Sequence, residues 1–266
     1  YIGSNGNWWI GTTDTGVNLF APGKRPKENL TFLVCLCAFI RAVDSYPHLL
    51  RMSAATAGND RRLGGSEAPP AIISMFLGDS MLGMLKDVAM GSSSTRGEEA
   101  EILRIGVATL PELAKDDSDR NRTSPLAFTG NKFEFRMVGS SQSIALANTV
   151  LNTIMADSFR AFSNYFEQAG FSAQTVAEVV AETLRSHGRI VFNGNNYEKA
   201  WEEEARRRGL PVINSAVEAF EALTQERSIL LFERFGVLSR AECLARYEIM
   251  LETYNKVVSI EAATMV

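Results

Sequence analysis

The 266 residues are poor in cysteine, in histidine, in net charge and in long apolar runs, and each shortage excludes a class of protein. Three cysteines, Cys35, Cys37 and Cys243, form no even set and no CxxC pair, and only His48 and His187 could join them as ligands. A disulfide framework and a zinc site are therefore not expected, and unpaired thiols point to a reducing compartment, read as the cytoplasm. With 27 Lys+Arg against 31 Asp+Glu the formal charge is −4, which lacks the basic footprint of a dedicated nucleic-acid binder. The longest nearly apolar run, Leu30 to Ile40, is about half of the roughly 20 residues that span a bilayer, so no membrane partner is expected. No basic stretch followed by an apolar core and a small-residue cleavage site opens the chain, so no signal peptide is expected either.

What is present is an ordinary globular composition, 45% hydrophobic and 22% charged, sufficient at this length for a core without disulfides or structural metal. The expectation is one domain with a helical part appended. The chain opens on Tyr1 rather than Met, and a long amphipathic pattern runs up to Val266, which reads as a fragment.

Residues 1–29 are rich in Gly, Asn, Thr and Pro and predict turns with short extended pieces. From Asn29 the run LTFLVCLCAFIRAVDSY is long enough for four helical turns, with Pro47 marking the end. Cys35 and Cys37 fall about 200° apart on it and cannot share a metal from one face. Residues 52–70 predict a polar, Gly-rich loop, AIISMFLG (71–78) a strand, and 91–99 a flexible insert. After Ser140 the apolar spacing becomes helical, with further amphipathic helices at 172–186 and at 197–208, the latter closed by Gly209. Ser239 with Glu242 three residues on is a capping box opening a helix of about seven turns. Both histidines sit at helix ends and read as surface caps.

Three stretches could carry chemistry. In NKFEFRMVG (131–139) a period of two puts Phe133, Phe135 and Met137 on one face and Lys132, Glu134 and Arg136 on the other. Steps of about 7 Å along that charged row leave room for a metal beside an anionic ligand, or make a plain solvent face laced by salt bridges. The loop Asn59 to Pro70 carries Arg62, whose fork suits a carboxylate, and Glu67 on a Gly hinge, or is a solvated turn with an Arg–Glu pair. Asp119 to Pro125 sets Arg120 and Arg122 beside small hydroxyls, a composition that suits phosphate oxygens and equally a basic loop. No P-loop, GxGxxG or GxSxG is present.

Together the blocks AGNDRRLGGSEAPPAIISMFLGD (57–79), RNRTSPLAFTGNKFEFRMVGSSQS (120–143), RIVFNGNNYEKAWEEEARRRGL (189–210) and GVLSRAECLARYEIMLETY (236–254) resemble glutamine synthetase of the type III branch. The resemblance implies ATP-dependent ligation of ammonia to glutamate through γ-glutamyl phosphate, with ATP and Mg2+ or Mn2+ as cofactors. It implies that Arg62 and Arg136 hold the glutamate substrate, that Glu67 closes the site and takes a proton from ammonium, that Arg122 and Lys132 meet the nucleotide phosphates, and that Glu134 binds metal. It implies an α+β fold, a curved antiparallel sheet backed by helices, in one partial catalytic domain: a sheet-bearing part at 1–159, a helical insertion at 160–235 and a long helix at 236–266. A homo-oligomer is implied for the complete protein.

The family also carries a Gly-Ser-Gly-x-His segment whose histidine binds metal, and here the stretch reads Gly3-Ser4-Asn5-Gly6-Asn7-Trp8-Trp9. The position held by Arg61 is usually His in type III members. A single metal-binding carboxylate cannot hold two ions that each take about six ligands, so the isolated chain is expected to be inactive. The alternative is a catalytically dead structural or regulatory relative. A third reading, ligation of another amine to glutamate or guanidino phosphorylation, fits the quoted blocks less well.

Overall fold

The computed structural model describes residues 7–13, 15–65, 68–91, 102–103, 113–114 and 124–265. Its elements, in chain order, are β1 (Asn7–Trp8), α1 (Leu30–Ser45), α2 (Pro47–Ser53), α3 (Ala57–Arg62), β2 (Met75–Phe76), α4 (Asp79–Ala89), β3 (Ile102–Leu103), β4 (Leu113–Ala114), β5 (Leu126–Phe128) and β6 (Phe133–Phe135). Helices follow: α5 (Ala145–Ala169), α6 (Ala173–His187), α7 (Ala200–Arg207), α8 (Ala216–Phe220), α9 (Glu226–Arg234) and α10 (Arg240–Thr264). The result is α+β, helix-rich, with a small mixed sheet.

Helix α1 is the hub. Asn29 caps it by accepting from the Phe32 N–H, and of its residues only Leu30, Thr31, Val34, Arg41 and Ser45 escape full burial. A helix apolar around most of its circumference must be enclosed, and α5 and α6 pack along it. Its polar residues are satisfied. Buried Asp44 accepts from Arg189 Nε at 2.7 Å and pairs with His187 Nδ1 at 2.8 Å, while Arg41 reaches Asp157 at 3.3 Å and Ser158 at 2.9 Å. His187 is therefore a clasp onto the core helix, not the surface cap its place at a helix end suggests. Proline disfavours a helical residue before it but tolerates the first helical position, so Pro47 both ends α1 at Ser45 and opens α2, bending the chain by 80°.

The four-stranded sheet runs in the order β1, β6, β5, β2. β1 pairs antiparallel with β6 and β5 antiparallel with β6, joined through a turn in which the Thr129 N–H donates to the Lys132 carbonyl and Gly130 takes φ +92°. β2 joins β5 in parallel, so the antiparallel expectation holds for three strands and fails at the fourth. The reason is connectivity: β2 reaches β5 through α4 and a long excursion, and a crossover of that kind allows parallel pairing. The other edge of β2 is covered by a bridge from Met75 to Val191.

Behind the sheet, Phe133 meets Phe39 of α1 at 4.3 Å, Phe20 at 5.2 Å and Phe128 at 5.2 Å between ring centres, with Trp8 stacked on Phe39 at 4.8 Å. The stretch 71–78 is buried at Ala71 to Met75 as the apolar run predicts, yet only Met75 and Phe76 form ladder. The predicted loop 52–70 is not all loop. α2 extends to Ser53, and Thr56 caps the short α3 by accepting from the Asn59 N–H. The helices at 172–186 and 240–264 and both hydrogen bonds of the Ser239–Glu242 capping box are present.

Candidate active site

The alternation in β6 decides the site's geometry. Phe133, Phe135 and Met137 are buried in the core, Phe133 against Phe39 of α1, which turns Lys132, Glu134 and Arg136 the other way, each partly exposed. Arg136 Nε donates to Glu134 Oε2 at 3.1 Å and a second guanidinium nitrogen lies 3.0 Å from the same oxygen, with the side chains 14% and 31% exposed. Those exposures belong to the wall of a cavity rather than to an open sheet face. Opposite Glu134 in the ladder stands Asn7, whose Oδ1 is buried with no hydrogen-bond partner among the described residues.

Arg62 enters from α3. Its Nε donates to Asn59 Oδ1 at 2.9 Å and its terminal nitrogen to the Met137 carbonyl, just beyond β6. Asn59, 2% exposed, also donates to the carbonyls of Met137 at 2.8 Å and Ala54. Gln142 completes the junction by donating to the Ser53 carbonyl at 3.1 Å.

Arg62, Glu134, Arg136, Asn7, Gln142 and Tyr197 line one cavity of about 570 Å³, within the range of small-ligand sites. Tyr197 is held there by its neighbour Asn196, fully buried, whose Nδ2 donates to Ser74 Oγ at 2.9 Å. Among the described residues two guanidinium groups and one carboxylate line the wall, and guanidinium forks recognise carboxylate and phosphate oxygens in two-point contacts. A second cavity of about 620 Å³ lies between α3, the 139–143 segment and α10, and Arg62 belongs to both.

Of the residues expected at the site, Arg62, Glu134 and Arg136 are brought together. Lys132 sits at the β5–β6 turn and does not line this cavity. Glu67 and Arg122 lie outside the described residues, as does the start of the 3–9 stretch. Sequence reasoning passed over Asn7, Asn59, Gln142 and Tyr197. Asn59 followed Gly58 in what read as loop, and Tyr197 stood at the head of a predicted helix that begins only at Ala200; the one available signal was the asparagine-rich run Asn193 to Asn196, a turn composition.

The carboxylate of Glu134 and the orphaned amide oxygen of Asn7 are hard donors on adjacent strands and suit a small divalent cation. Two oxygens are about a third of such an ion's shell, and among the described residues no three His, Cys, Asp or Glu gather. The described residues therefore do not fit a closed metal centre. Cys35 and Cys37 are buried, free thiols, with Cys37 pushed up to about 12 by burial.

Residues 175–266 match the family described as the glutamine synthetase C-terminal domain. A type-3 glutamine synthetase of Dictyostelium discoideum is 43% identical across 99% of this chain and 36% of its own length. A glutamine synthetase of Butyrivibrio fibrisolvens is 42% identical across 99% of the chain and 37% of its own length, and one of Bacteroides fragilis (strain YCH46) is 39% identical across 100% and 38%. The chain thus spans a little over a third of the length of these relatives.

Proposed function

We propose, for a chain that resembles type III glutamine synthetase along its whole length, that its cavity takes part in ATP-dependent ligation of ammonia to glutamate. The observation that carries the reading is the convergence of Arg62, Glu134 and Arg136 on one cavity, within a sequence 39–43% identical to relatives of that name. In this reaction a γ-carboxylate oxygen of glutamate attacks the terminal phosphorus of ATP and ADP leaves. Ammonia then attacks the acyl carbon, phosphate leaves, and one proton of the ammonium must be accepted by a base.

The roles are those that the resemblance implies, and their charges suit them. Arg136 and Arg62 hold the substrate carboxylate and the acyl phosphate that replaces it, groups whose negative charge is concentrated as the reaction proceeds. Arg122 and Lys132 meet the nucleotide phosphates, and Glu67 takes the ammonium proton. Glu134 orients Arg136 and supplies a metal-binding oxygen. ATP is the co-substrate in this reading; a divalent cation belongs to it only with ligands beyond Glu134 and Asn7. Cytoplasmic location and assembly of several copies belong to the same proposal.

A second reading has one observation in its favour. Among the described residues no three metal-ligating side chains gather, as expected of a relative that keeps the scaffold and binds glutamate or nucleotide without turnover. Phosphate release by the purified chain given ATP, magnesium and glutamate tests the first reading. Release that requires ammonium supports the ligase and rules out the binding scaffold, whereas glutamate binding with no release is expected of the scaffold and of an isolated ligase segment alike.

A further inference from the structure

Three consecutive residues of α3 bond to four other parts of the molecule. Asp60 accepts from Arg51 at 3.3 Å, from the Ala216 N–H at 2.9 Å and from the Tyr254 hydroxyl at 3.1 Å. Arg61 pairs with Glu261, also on α10. Arg62 faces the site and bonds the Met137 carbonyl. With 6 residues, α3 is far shorter than the roughly 12–15 at which an isolated helix becomes even marginally stable in water. Its own hydrogen bonds cannot decide where it sits, so its position is dictated by what grips it.

The two grips from α10 are not equal. Arg61 and Glu261 are 60% and 36% exposed, and ion pairs in that setting are screened and contribute little. Tyr254 is half-buried, its ring packs edge-on against Phe220 at 6.2 Å, and its hydroxyl shares Asp60 with the buried Arg51. The ring packing fixes where the hydroxyl points, and the hydroxyl fixes the carboxylate two residues before Arg62.

We infer that Tyr254 is a positioning residue for the site: through Asp60 it holds α3, and with it Arg62, against the end of β6. The 175–266 stretch that matches the C-terminal domain thereby reaches back to an arginine of the sheet-bearing part. This rests on the reading that Arg62 contacts glutamate.

The test is Tyr254→Phe in the 266-residue chain, which keeps the ring and removes the hydroxyl, with Glu261→Gln as the comparison. Two quantities are read: L-glutamate affinity by calorimetry, and amide hydrogen exchange by mass spectrometry. Loss of one hydrogen bond to a carboxylate that keeps two other donors predicts affinity weakened about five- to tenfold and faster exchange confined to residues 57–62, with only a small fall in the urea midpoint. Glu261→Gln should stay within about twofold. Wild-type binding with equal affinity and exchange in Tyr254→Phe overturns the inference. A large fall in the urea midpoint with exchange raised across α8 and α10 also overturns it, because Tyr254 would then be a general support. If the wild-type chain binds no glutamate, the functional reading fails, and the exchange arm still decides whether α10 holds α3.

Discussion

Asn59 and Arg62, three residues apart on α3, bond to each other at 2.9 Å and both donate to one acceptor, the carbonyl of Met137. A helix and the end of a strand are thereby fastened at the point where the charged row of β6 finishes. The charged side chain on α3 is presented by a buried neutral one.

Asn59→Ala should be among the most damaging polar substitutions in the chain. It strands the carbonyl of Ala54 and leaves the carbonyl of Met137 to Arg62 alone. With a buried unsatisfied group costing about 1–3 kcal/mol and a further hydrogen bond lost beside it, a loss of about 2–4 kcal/mol is expected in urea denaturation. Asn59→Asp should be no better, since a carboxylate has no N–H to donate.

Ser239→Ala removes one side of a reciprocal capping box, in which Ser239 Oγ accepts from the Glu242 N–H and Glu242 accepts from the Ser239 N–H at 2.8 Å. About 1 kcal/mol of stability should be lost in chemical denaturation, with glutamate affinity unchanged.

Burial holds the pKa of the Cys35 and Cys37 thiols up to about 12, against 9.0 for a free thiol. At Cys37 a hydrogen bond with Thr183 opposes the shift and nearby Cys35 adds to it. Both thiols bind their proton more tightly folded than unfolded, so their contribution to stability is intact below pH 9 and is lost as pH rises from about 9 towards 12. Urea midpoints measured from pH 8 to 10.5 should fall over that range, and Cys35→Ser/Cys37→Ala should flatten the fall. At pH 8 neither thiol should react with iodoacetamide until the chain unfolds.

In the proposed reading Lys132 and Arg136 serve two functions on one row. Lys132 is at the hairpin turn and outside the cavity, whereas Arg136 is in its wall. Lys132→Ala should leave L-glutamate affinity within about twofold and weaken ATP binding, by about the worth of one screened phosphate contact.

How far the sequence could be read follows the range of the interactions involved. The period of two in 131–139 orients six side chains correctly because alternation is local. Capping at Ser239 was equally legible, since a cap and its target lie within one turn, and the caps at Asn29 and Ser172 were passed over. The parallel β2–β5 pairing was not, because it depends on partners about 50 residues apart that no local pattern records. Asn59 was missed for the same reason: its Gly-Asn-Asp-Arg surroundings have turn composition, and its helix is held by partners at positions 137, 216 and 254. His187 looked like a helix-end cap and is tied to Asp44, 143 residues away.

The most direct test of the account is L-glutamate titrated calorimetrically, in the presence of a non-hydrolysable ATP analogue, into the wild-type chain and Arg136→Ala. The side chains of Arg136 and Glu134 are 14% and 31% exposed, so loss of their ion pair should cost some stability without unfolding the chain, while removal of one guanidinium fork from the cavity should weaken glutamate binding at least tenfold. Saturable binding that drops by that factor in a normally folded variant is the predicted result. Equal binding by both proteins, or none by the wild type, would contradict it.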